Sequence, residues 1–426
     1  TVLVTKKIAT VIDTKITITA NDIVLSLKEA QAITVEDLKT RTGAHAITDN
    51  AGSIESVTID QESVKELNNL KTSAPSGVGV IVHATDTTGD EATKTVKAYV
   101  FDSVDGNLTM NAEDFSTEEK NVANEEGIIA QGQVKIYDVT DVNNHIDVTA
   151  DYKKDNKVHS DPTVLYAGLG QEVTYNVDGT KLNAEVTADI YSKIVGDLGI
   201  VAKPFSAKVA EVQTKEQIIA KGQVVIKNLV TNTIVTSDYK IDTVAPLKAG
   251  LDQTVKYTTE VKDLEAEVKA DIFNDIDEKL RLGIYAEDFT ATLDEVKDQA
   301  GIITKAQVVI KNIDTKDIVT DTYKKAIVST PASITVAGLN QKVNFEVTNT
   351  TLKADILADV YNSKDGNLGI IAKPFIAQEA EVTTEAAIID KGQVSIHEID
   401  SQNDVTASYA GQIHSNPTVL YAGLGQ

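Results

Sequence analysis

The sequence contains neither cysteine nor tryptophan, and it has one methionine and only 5% aromatic residues. Without cysteine the chain cannot form disulfide bridges, cysteine-based zinc sites, cysteine nucleophiles or cysteine-derived thioesters. A single large core normally contains more aromatic volume, so the scarcity of aromatic residues favours several small, thin cores. A length of 426 residues is sufficient for such a multidomain arrangement.

The sequence also lacks positive charge and long apolar runs. It has 40 lysines and arginines against 64 aspartates and glutamates, which gives a net charge of −24. A surface this acidic repels phosphate backbones and argues against a nucleic-acid partner. No apolar run has the length of a membrane span, and no signal peptide is visible. We interpret the chain as part of a longer protein.

Three landmarks repeat along the chain with a period of about 85 residues. The decapeptide PTVLYAGLGQ at 162–171 recurs unchanged at 417–426, and shorter copies lie at 249–253 and 337–341. The second landmark is a phenylalanine in Ala-x-x-Phe, and the third is a Gln-Val step. Because all three keep one register, the chain is a tandem repeat. The landmark positions are Phe115, Phe205, Phe289 and Phe375, and Gln133, Gln223, Gln307 and Gln393.

The last segment of each repeat alternates apolar and polar residues. In the second repeat Val173, Tyr175 and Val177 precede the turn Asp178-Gly179-Thr180, and another alternating run follows from Leu182 to Ile190. Period-two alternation predicts two strands joined as a hairpin, with one face buried and one face in water.

A short helix is predicted in the middle of each repeat, because a residue suited to the N-cap precedes a short apolar run. Its side-chain oxygen can accept a hydrogen bond from a free backbone N–H group of the first turn. About six or seven short strands surround this helix, which is typical of an all-β sandwich. The predicted N-cap residues are Thr34, Asn124, Thr214, Asp298 and Thr384.

We therefore predict an all-β chain of tandem β-sandwich modules, each with a short helical turn. No linker rich in glycine, serine or proline separates the modules, so we expect an elongated, semi-rigid rod on the order of 150 Å long. Residues 102–106 are interpreted as one of the short connections. Residues 1–12 are interpreted as a strand left from a preceding module, and the last module is predicted to be incomplete. The predicted modules one to five are 1–101, 102–191, 192–273, 274–361 and 362–426.

The first module has two segments with a family resemblance. In 16–46, ITAND at 18–22 leads into TVEDL at 34–38, and 78–100 adds a strand–turn–strand ending with DTTGD at 86–90. These segments resemble bacterial immunoglobulin-like repeats in the stalks of Gram-positive cell-wall surface proteins, including internalin-type and biofilm-associated adhesins. The other modules share the resemblance through the internal repeat, so it extends over the whole chain.

The resemblance implies immunoglobulin-like sandwiches in a secreted protein displayed at the cell wall or cell surface. We expect a monomeric stalk that projects a functional region of an adhesin from the cell wall. One alternative is a surface-layer lattice protein, whose partners are neighbouring surface molecules. The other is an adhesin that itself binds a host protein or a glycan.

The histidines are the first candidates for catalysis. His159 and His414 occupy equivalent positions, and the other repeats have no histidine there. The sequence assigns them no paired acid, so we interpret them as loop residues. The residues that recur in every repeat are apolar or turn-forming, which is typical of folding rather than of chemistry. We therefore predict no catalytic residues and no enzyme activity.

Acidic and amide residues near the predicted junctions are the candidate metal ligands, since Ca²⁺ needs several converging oxygen atoms. No EF-hand spacing is present, and the stretch 192–197 is poor in acids. Our prediction is therefore that no cofactor is bound, with calcium as the alternative. The candidates are Asp102, Asp105 and Asn107 at the first junction, Asp271, Asp275 and Asp277 at the third, and Asp365 and Asn367 at the last.

Surface domains of the resembled class also carry intramolecular isopeptide crosslinks, which need a lysine, an asparagine and a carboxylate buried together. Lys227-Asn228 and Lys311-Asn312 recur with acids nearby. Both lysines are expected to be exposed on an alternating strand, so we do not expect a crosslink.

Overall fold

The computed structural model describes residues 16–49 and 52–426, and the strand predicted at 1–12 lies outside the described residues. The chain separates into two compact units, Thr1–Val201 and Ala202–Gln426. The module names used below are those of the predicted ranges.

The first unit contains module one, module two and the first two strands of module three. In module one the elements are β1 (Ile16–Thr19), β2 (Ile23–Ser26), α1 (Leu27–Ala30), α2 (Val35–Thr42), β3 (His45–Thr48), β4 (Ile54–Ile59), α3 (Gln61–Asn68), β5 (Ala74–Asp86) and β6 (Glu91–Phe101). They are followed by β7 (Ser103–Asp105), β8 (Leu108–Asn111), β9 (Phe115–Glu118), α4 (Glu125–Gln131), β10 (Lys135–Asp138), β11 (Ile146–Asp147), α5 (Thr149–Lys154), β12 (Val158–Asp161), β13 (Gly168–Val177), β14 (Asn183–Tyr191), β15 (Lys193–Val195) and β16 (Leu198–Val201).

The second unit contains the rest of module three and modules four and five. Its first elements are β17 (Phe205–Lys208), α6 (Lys215–Lys221), β18 (Val225–Asn228), β19 (Thr233–Ile234), β20 (Ile241–Thr243), β21 (Gly250–Thr259) and β22 (Glu265–Phe273). They are followed by β23 (Asp275–Asp277), β24 (Leu282–Tyr285), β25 (Phe289–Thr292), α7 (Gln299–Lys305), β26 (Val309–Asn312), α8 (Thr320–Tyr323), β27 (Ile327–Thr330), β28 (Gly338–Val347), β29 (Lys353–Tyr361), β30 (Ser363–Asp365), β31 (Leu368–Ile371), α9 (Glu385–Lys391), β32 (Ser395–Glu398) and α10 (Thr406–Tyr409).

Module two is a sandwich of two four-stranded sheets, with strand orders β11-β10-β8-β7 and β12-β13-β14-β9. The pairs are antiparallel except for β9, which runs parallel to β14. Met110 and Ile136 of the first sheet meet Val173, Tyr175 and Ala184 of the second in one buried core. The inward residues are those predicted by the alternation.

Module four repeats this plan with sheets β23-β24-β26 and β25-β29-β28-β27 around one core. In module one the larger sheet has the order β2-β6-β5-β4, and β1 pairs with β3. The strand β2, which follows Ala20-Asn21-Asp22, runs parallel to the last strand β6, as β9 runs parallel to β14 in module two. The predicted all-β tandem sandwich fold is confirmed.

The five predicted N-caps all begin helices. In α6, Thr214 accepts a hydrogen bond from the backbone N–H of Gln217, whose side chain bonds back in a capping box. Asn124, Asp298 and Thr384 each accept from the third residue of their helix. The short helices α5, α8 and α10 were not predicted. Each follows a valine that makes no side-chain cap bond, so the capping signal was missing.

The glutamine of the repeated decapeptide holds a bulge at the start of the long hairpin. In module two the register of β13 and β14 shifts between Gly168 and Gln171. The Gln171 side-chain amide donates to the carbonyls of Tyr166 and Gly168 at 2.8 and 3.1 Å. Gln253 and Gln341 make the equivalent bonds in modules three and four. The recurrence of this glutamine therefore has a structural reason.

A buried tyrosine and a glycine are matched across the core. The Tyr175 hydroxyl donates to the carbonyl of Ile128 at 2.9 Å, and a Cβ on Gly132 would lie 2.1 Å from that hydroxyl oxygen. Tyr257 and Gly222 repeat the arrangement in module three, with the same 2.1 Å approach. Module four has Phe345 and Ala306 at these positions, and both are fully buried. Where the hydroxyl is missing, the chain has room for a methyl group.

In module five, residues 363–398 contribute the three-stranded sheet β30-β31-β32. Phe375, the equivalent of the residue that begins β9, begins no strand in the described chain. Ile388 and Ile396 are half-buried, whereas their equivalents Ile128 and Ile136 have no exposed area. Residues 362–426 therefore contribute one sheet of a sandwich, and part of the apolar face of this module is not covered.

The match between tyrosine and glycine predicts a rescue. Gly222→Ala should destabilise module three by about 2 kcal/mol or more, because the new methyl group collides with the Tyr257 hydroxyl in a packed core. Adding Tyr257→Phe should recover most of that loss, because module four contains this combination. Thermal unfolding of the two variants and of Tyr257→Phe alone would measure the coupling. If Gly222→Ala and the double variant Gly222→Ala/Tyr257→Phe were equally unstable, the interpretation would be contradicted.

Candidate functional site: the module junctions

A single residue joins the last strand of each module to the first strand of the next. The backbone N–H of this residue donates to a carbonyl in the second strand of the following module at 2.8–3.0 Å. The predicted five-residue connection at 102–106 is wrong, because Ser103–Asp105 already form β7. The four bonds are Asp102 to Met110, Ser192 to Ile200, Asn274 to Ile284, and Asn362 to Ile370.

At the first, third and fourth junctions the side chain of the joining residue makes a second bond to the same module. The Asp102 carboxylate accepts from the backbone N–H of Ala112 at 2.7 Å. Asn274 and Asn362 accept in the same way from Ala286 and Ala372, at 2.7 and 2.5 Å. Because both its backbone and its side chain are hydrogen-bonded to the next module, such a residue cannot rotate freely. We call this residue the strap.

An aromatic ring ends each of these last strands and packs against the next module. A Cβ on Gly199 would lie 2.3 Å from the ring of Tyr191, and a Cβ on Gly283 would lie 2.5 Å from the ring of Phe273. Gly369 has the same relation to Tyr361 at 2.3 Å. The three rings have no exposed area. At these three junctions glycine is therefore required in the second strand, because any side chain there would collide with the buried ring.

The first junction has an aromatic cluster. Phe101 ends β6, and Thr109 occupies the place of the glycine, with its hydroxyl buried and unpaired. The ring of His145 lies 4.5 Å from that of Tyr99 and 5.4 Å from that of Phe101. Tyr137 completes the cluster, with its ring 5.8 Å from that of Phe101. At this junction, packed aromatic rings take the role of the ring–glycine contact.

The third junction contains a buried ion pair. Lys311 lies 2.7 Å from Asp271, and the two side chains are 8% and 6% exposed. The other oxygen of Asp271 accepts from the backbone N–H of Asp252 in the bulge, so one carboxylate connects the bulge of module three to β26 of module four. At the fourth junction Asp359 accepts from the bulge residue Asn340 and from the Gln402 side chain.

The expectation that Lys311 is exposed is therefore wrong. The pairing of β24 with β26 places Lys311 beside the end of module three, and strand alternation alone does not reveal that neighbour. Asn312 does not face the lysine: its side-chain oxygen accepts from the backbone N–H groups of Asp314 and Thr315 at 2.9 and 3.0 Å. Asn228 makes the same turn in module three.

The calcium candidates at the first junction are engaged with backbone groups. Asp102 is a strap, and the Asp105 carboxylate accepts from the backbone N–H of Lys181 at 3.0 Å. Asn107 contributes its carbonyl to the N–H of Val139. These contacts lie within module two, so each of the three candidate calcium ligands has a hydrogen-bond partner in the protein itself.

The remaining candidates have varied positions. Asp277, the equivalent of Asp105, accepts from the N–H of Thr351 at 2.9 Å, and Asp275 forms an ion pair with Lys208. Asn367 accepts from the N–H of Asp400, and Asp365 is an exposed residue at the end of β30. Within 16–49 and 52–426, no group of three or more histidine, aspartate or glutamate side chains is arranged to hold a metal ion.

The two equivalent histidines have acidic partners, and His159 lies in β12, so the interpretation of His159 as an unpaired loop residue is wrong. His159 lies 3.3 Å from Glu125 and 3.3 Å from Asp178, and His414 lies 3.3 Å from Glu385. Module three has Lys215 and Asp242 at the positions of Glu125 and His159, with the acidic residue on the strand instead of the helix and 2.5 Å between the two side chains. In both modules the pair connects the start of the helix to the neighbouring strand.

Sequence reasoning missed the glycines at 199, 283 and 369 and the straps at 274 and 362. Each glycine is the middle residue of a Leu-Gly-Ile triplet. The triplet glycine follows the aromatic residue that ends an alternating run by eight residues at 199 and 369 and by ten residues at 283. That recurrence was visible in the repeat. Its meaning depends on the close approach of two modules, which the sequence does not display.

Comparison with known proteins identifies no family. No family model and no curated protein match the chain. Among solved structures, domains 4–9 of the surface layer protein SbsC are 10% identical with a TM-score of 0.15, over 72% of this chain and 56% of that one. Drosophila N-cadherin EC1-4 is 8% identical with a TM-score of 0.15, over 80% and 98%. Sidekick-1 immunoglobulin domains 1–4 are 9% identical with a TM-score of 0.12, over 61% and 76%.

The chain thus spans about half the length of the SbsC structure. TM-scores this low do not bear on function. In the described part of the chain, no helix is long and apolar enough to cross a membrane.

The strap at 102 predicts a stabilising substitution. Burial raises the pKa of Asp102, with Asp114 adding to the effect, although the bond from the N–H of Ala112 opposes it. The folded chain then holds this proton more tightly than the unfolded chain does, so stability falls as pH rises past the unfolded value of about 4. Asp102→Asn keeps the acceptor, as Asn274 and Asn362 do, and removes the buried charge.

The variant should therefore unfold at a higher temperature than the parent at pH 7 and at the same temperature at about pH 3, where Asp102 is protonated in both states. Thermal unfolding across this range would measure the difference. Asp105→Asn, which removes one negative charge from a nearby residue that is not a strap, serves as the control for net charge. A parent that is the more stable at pH 7 would contradict the role assigned to the strap.

Proposed function

We propose that this chain is a structural spacer in a bacterial cell-surface protein, where it projects a functional region away from the cell wall. The junction geometry is the observation that supports it. Each junction has a one-residue strap, a buried ring and at least one hydrogen bond into the next module. Such contacts restrict bending and limit independent rotation of neighbouring modules, which is what a spacer needs.

The proposed role is mechanical and non-enzymatic. Modules one, two and four each have a core of their own, so we expect stability to be approximately a sum of module terms and junction terms. The acidic surface, with a net charge of −24, keeps such a chain soluble and discourages lateral contact. We also propose that the chain is a monomer.

A surface-layer lattice protein is the second candidate. The observation that favours it is a set of exposed apolar side chains on the short edge strand or turn after β10 and its equivalents. Ile146 is 54% exposed, Ile234 is 64% exposed and Ile318 is 67% exposed. An exposed apolar residue that recurs at the equivalent place in several modules is suited to contact between copies.

Small-angle X-ray scattering of the purified chain, with calcium and with chelator, tests the proposal. A compact protein of this length would have a radius of gyration of about 22 Å. A rod on the order of 150 Å long would give about 40 Å. We expect the larger value, unchanged by chelation and by dilution.

Three other outcomes would change the assignment. A value near that of a compact protein would contradict the spacer. Growth of the particle with protein concentration would favour the lattice protein. A particle that lengthens or stiffens only with calcium would return Asp365, Asn367 and the first-junction acids to consideration as ligands.

A further inference from the structure

Each junction has two equivalent positions, one at the end of a module and one at the start of the next. The first member is the last residue of the parallel strand that pairs with the end aromatic: Glu118 lies opposite Tyr191, and Lys208 lies opposite Phe273. The second member is the first residue of the next module's first strand, which is Lys193 after module two and Asp275 after module three. We call the two members the end position and the start position.

The charges at these positions are exchanged between consecutive junctions. After module two the end position is acidic and the start position basic, with Lys193 lying 3.8 Å from Glu118. After module three the end position is basic and the start position acidic, with Lys208 lying 2.8 Å from Asp275. Both members differ in sign between the two junctions, and an ion pair is present at each.

The other two junctions have neutral residues at both positions. After module one the pair is Ser26 and Ser103, and after module four it is Thr292 and Ser363. The fourth junction has an ion pair elsewhere, between Glu295 and Lys364 at 3.9 Å. Two junctions therefore have opposite charges at the two positions, two have neutral residues, and none has like charges there.

The two charged pairs are sheltered to different degrees: Lys193 is 41% exposed, and its partner Glu118 also forms an ion pair with Lys120 of its own module, whereas both members of the Lys208–Asp275 pair are partly buried. The Glu118 side chain is 12% exposed and also accepts from the backbone N–H of Ile194 at 2.9 Å. Asp275 is 24% exposed and Lys208 is 34% exposed. Two like charges held in partly desolvated positions repel more strongly than two free surface charges.

We propose that the end and start positions are specificity determinants that select which module follows which. The ring–glycine contact is common to three of the junctions and provides general docking. The facing pair discriminates: the end face of module three, with Lys208, accepts a start face with Asp275 and rejects one with a lysine. The inference concerns recognition between modules and holds whether or not the chain is a spacer.

A charge-exchange cycle in the full chain tests the proposal. Lys208→Glu, Asp275→Lys and the double variant Lys208→Glu/Asp275→Lys are compared, with Lys325→Glu as the control for net charge at an exposed site in module four. Because the chain has no cysteine, spin labels can be attached at Glu260→Cys and Thr348→Cys, which are exposed in modules three and four. Distance distributions and unfolding midpoints are then measured.

Each single variant should broaden the distance distribution and lower the unfolding midpoint by about 2–4 °C, with a smaller effect at high salt. The double variant should restore both the width and the midpoint of the parent. The neutral pair Lys208→Thr/Asp275→Ser, copied from the fourth junction, should also keep the narrow distribution. Far-UV circular dichroism confirms that each variant is folded.

Two results would overturn the proposal. One is a double variant that stays as broad as the single variants. The other is a Lys208→Glu variant indistinguishable from Lys325→Glu, which would show that the facing pair contributes nothing beyond net charge.

Discussion

The modules are joined with no slack in the chain, and the rest of the junction follows from that constraint. One residue separates the end aromatic of a module from the first strand of the next, so the ring cannot turn outward and must be buried between the two modules. A buried ring of that size leaves no room for a side chain on the facing strand, which is why glycine stands at 199, 283 and 369. The strap then needs partners of its own, because its backbone and side-chain polar groups lie where water has little access.

The repeats act as natural variants of one another and show which features are required. The strap is an aspartate at 102 and an asparagine at 274 and 362, so an oxygen acceptor is required and a charge is not. Tyrosine faces glycine in two cores, and phenylalanine faces alanine in a third, so the total volume is conserved. In both cases the side chains differ while the physical condition stays the same.

Much of the fold could be predicted from the sequence because the signals are local. Alternation in 182–190 identified a strand and its buried face, and Thr214 with Gln217 identified a helix start. Both depend on residues a few positions apart. The helices α5, α8 and α10 begin after a valine that offers no cap, so they give no such signal.

The junction contacts were harder to predict because they join residues far apart in sequence. Strand alternation predicts that Lys311 is exposed, yet Lys311 pairs with Asp271, which lies forty residues earlier in the chain. The sequence made Asp102 and Asp105 candidate calcium ligands, whereas in the structure both accept hydrogen bonds from backbone N–H groups. Residue type alone cannot distinguish these two uses of a carboxylate oxygen. His159 lacked a visible acid for the same reason, because Glu125 lies on a different element.

Residual dipolar couplings in the intact chain would test most directly whether the junctions hold neighbouring modules in fixed orientation. Couplings would be measured for backbone amides of β21 and β22 in module three and of β28 and β29 in module four, which lie in the same compact unit. We predict that one alignment tensor fits both sets of strands. Two tensors of clearly different magnitude would show that the modules reorient independently, and would contradict the role assigned to the strap, the buried ring and the facing charges.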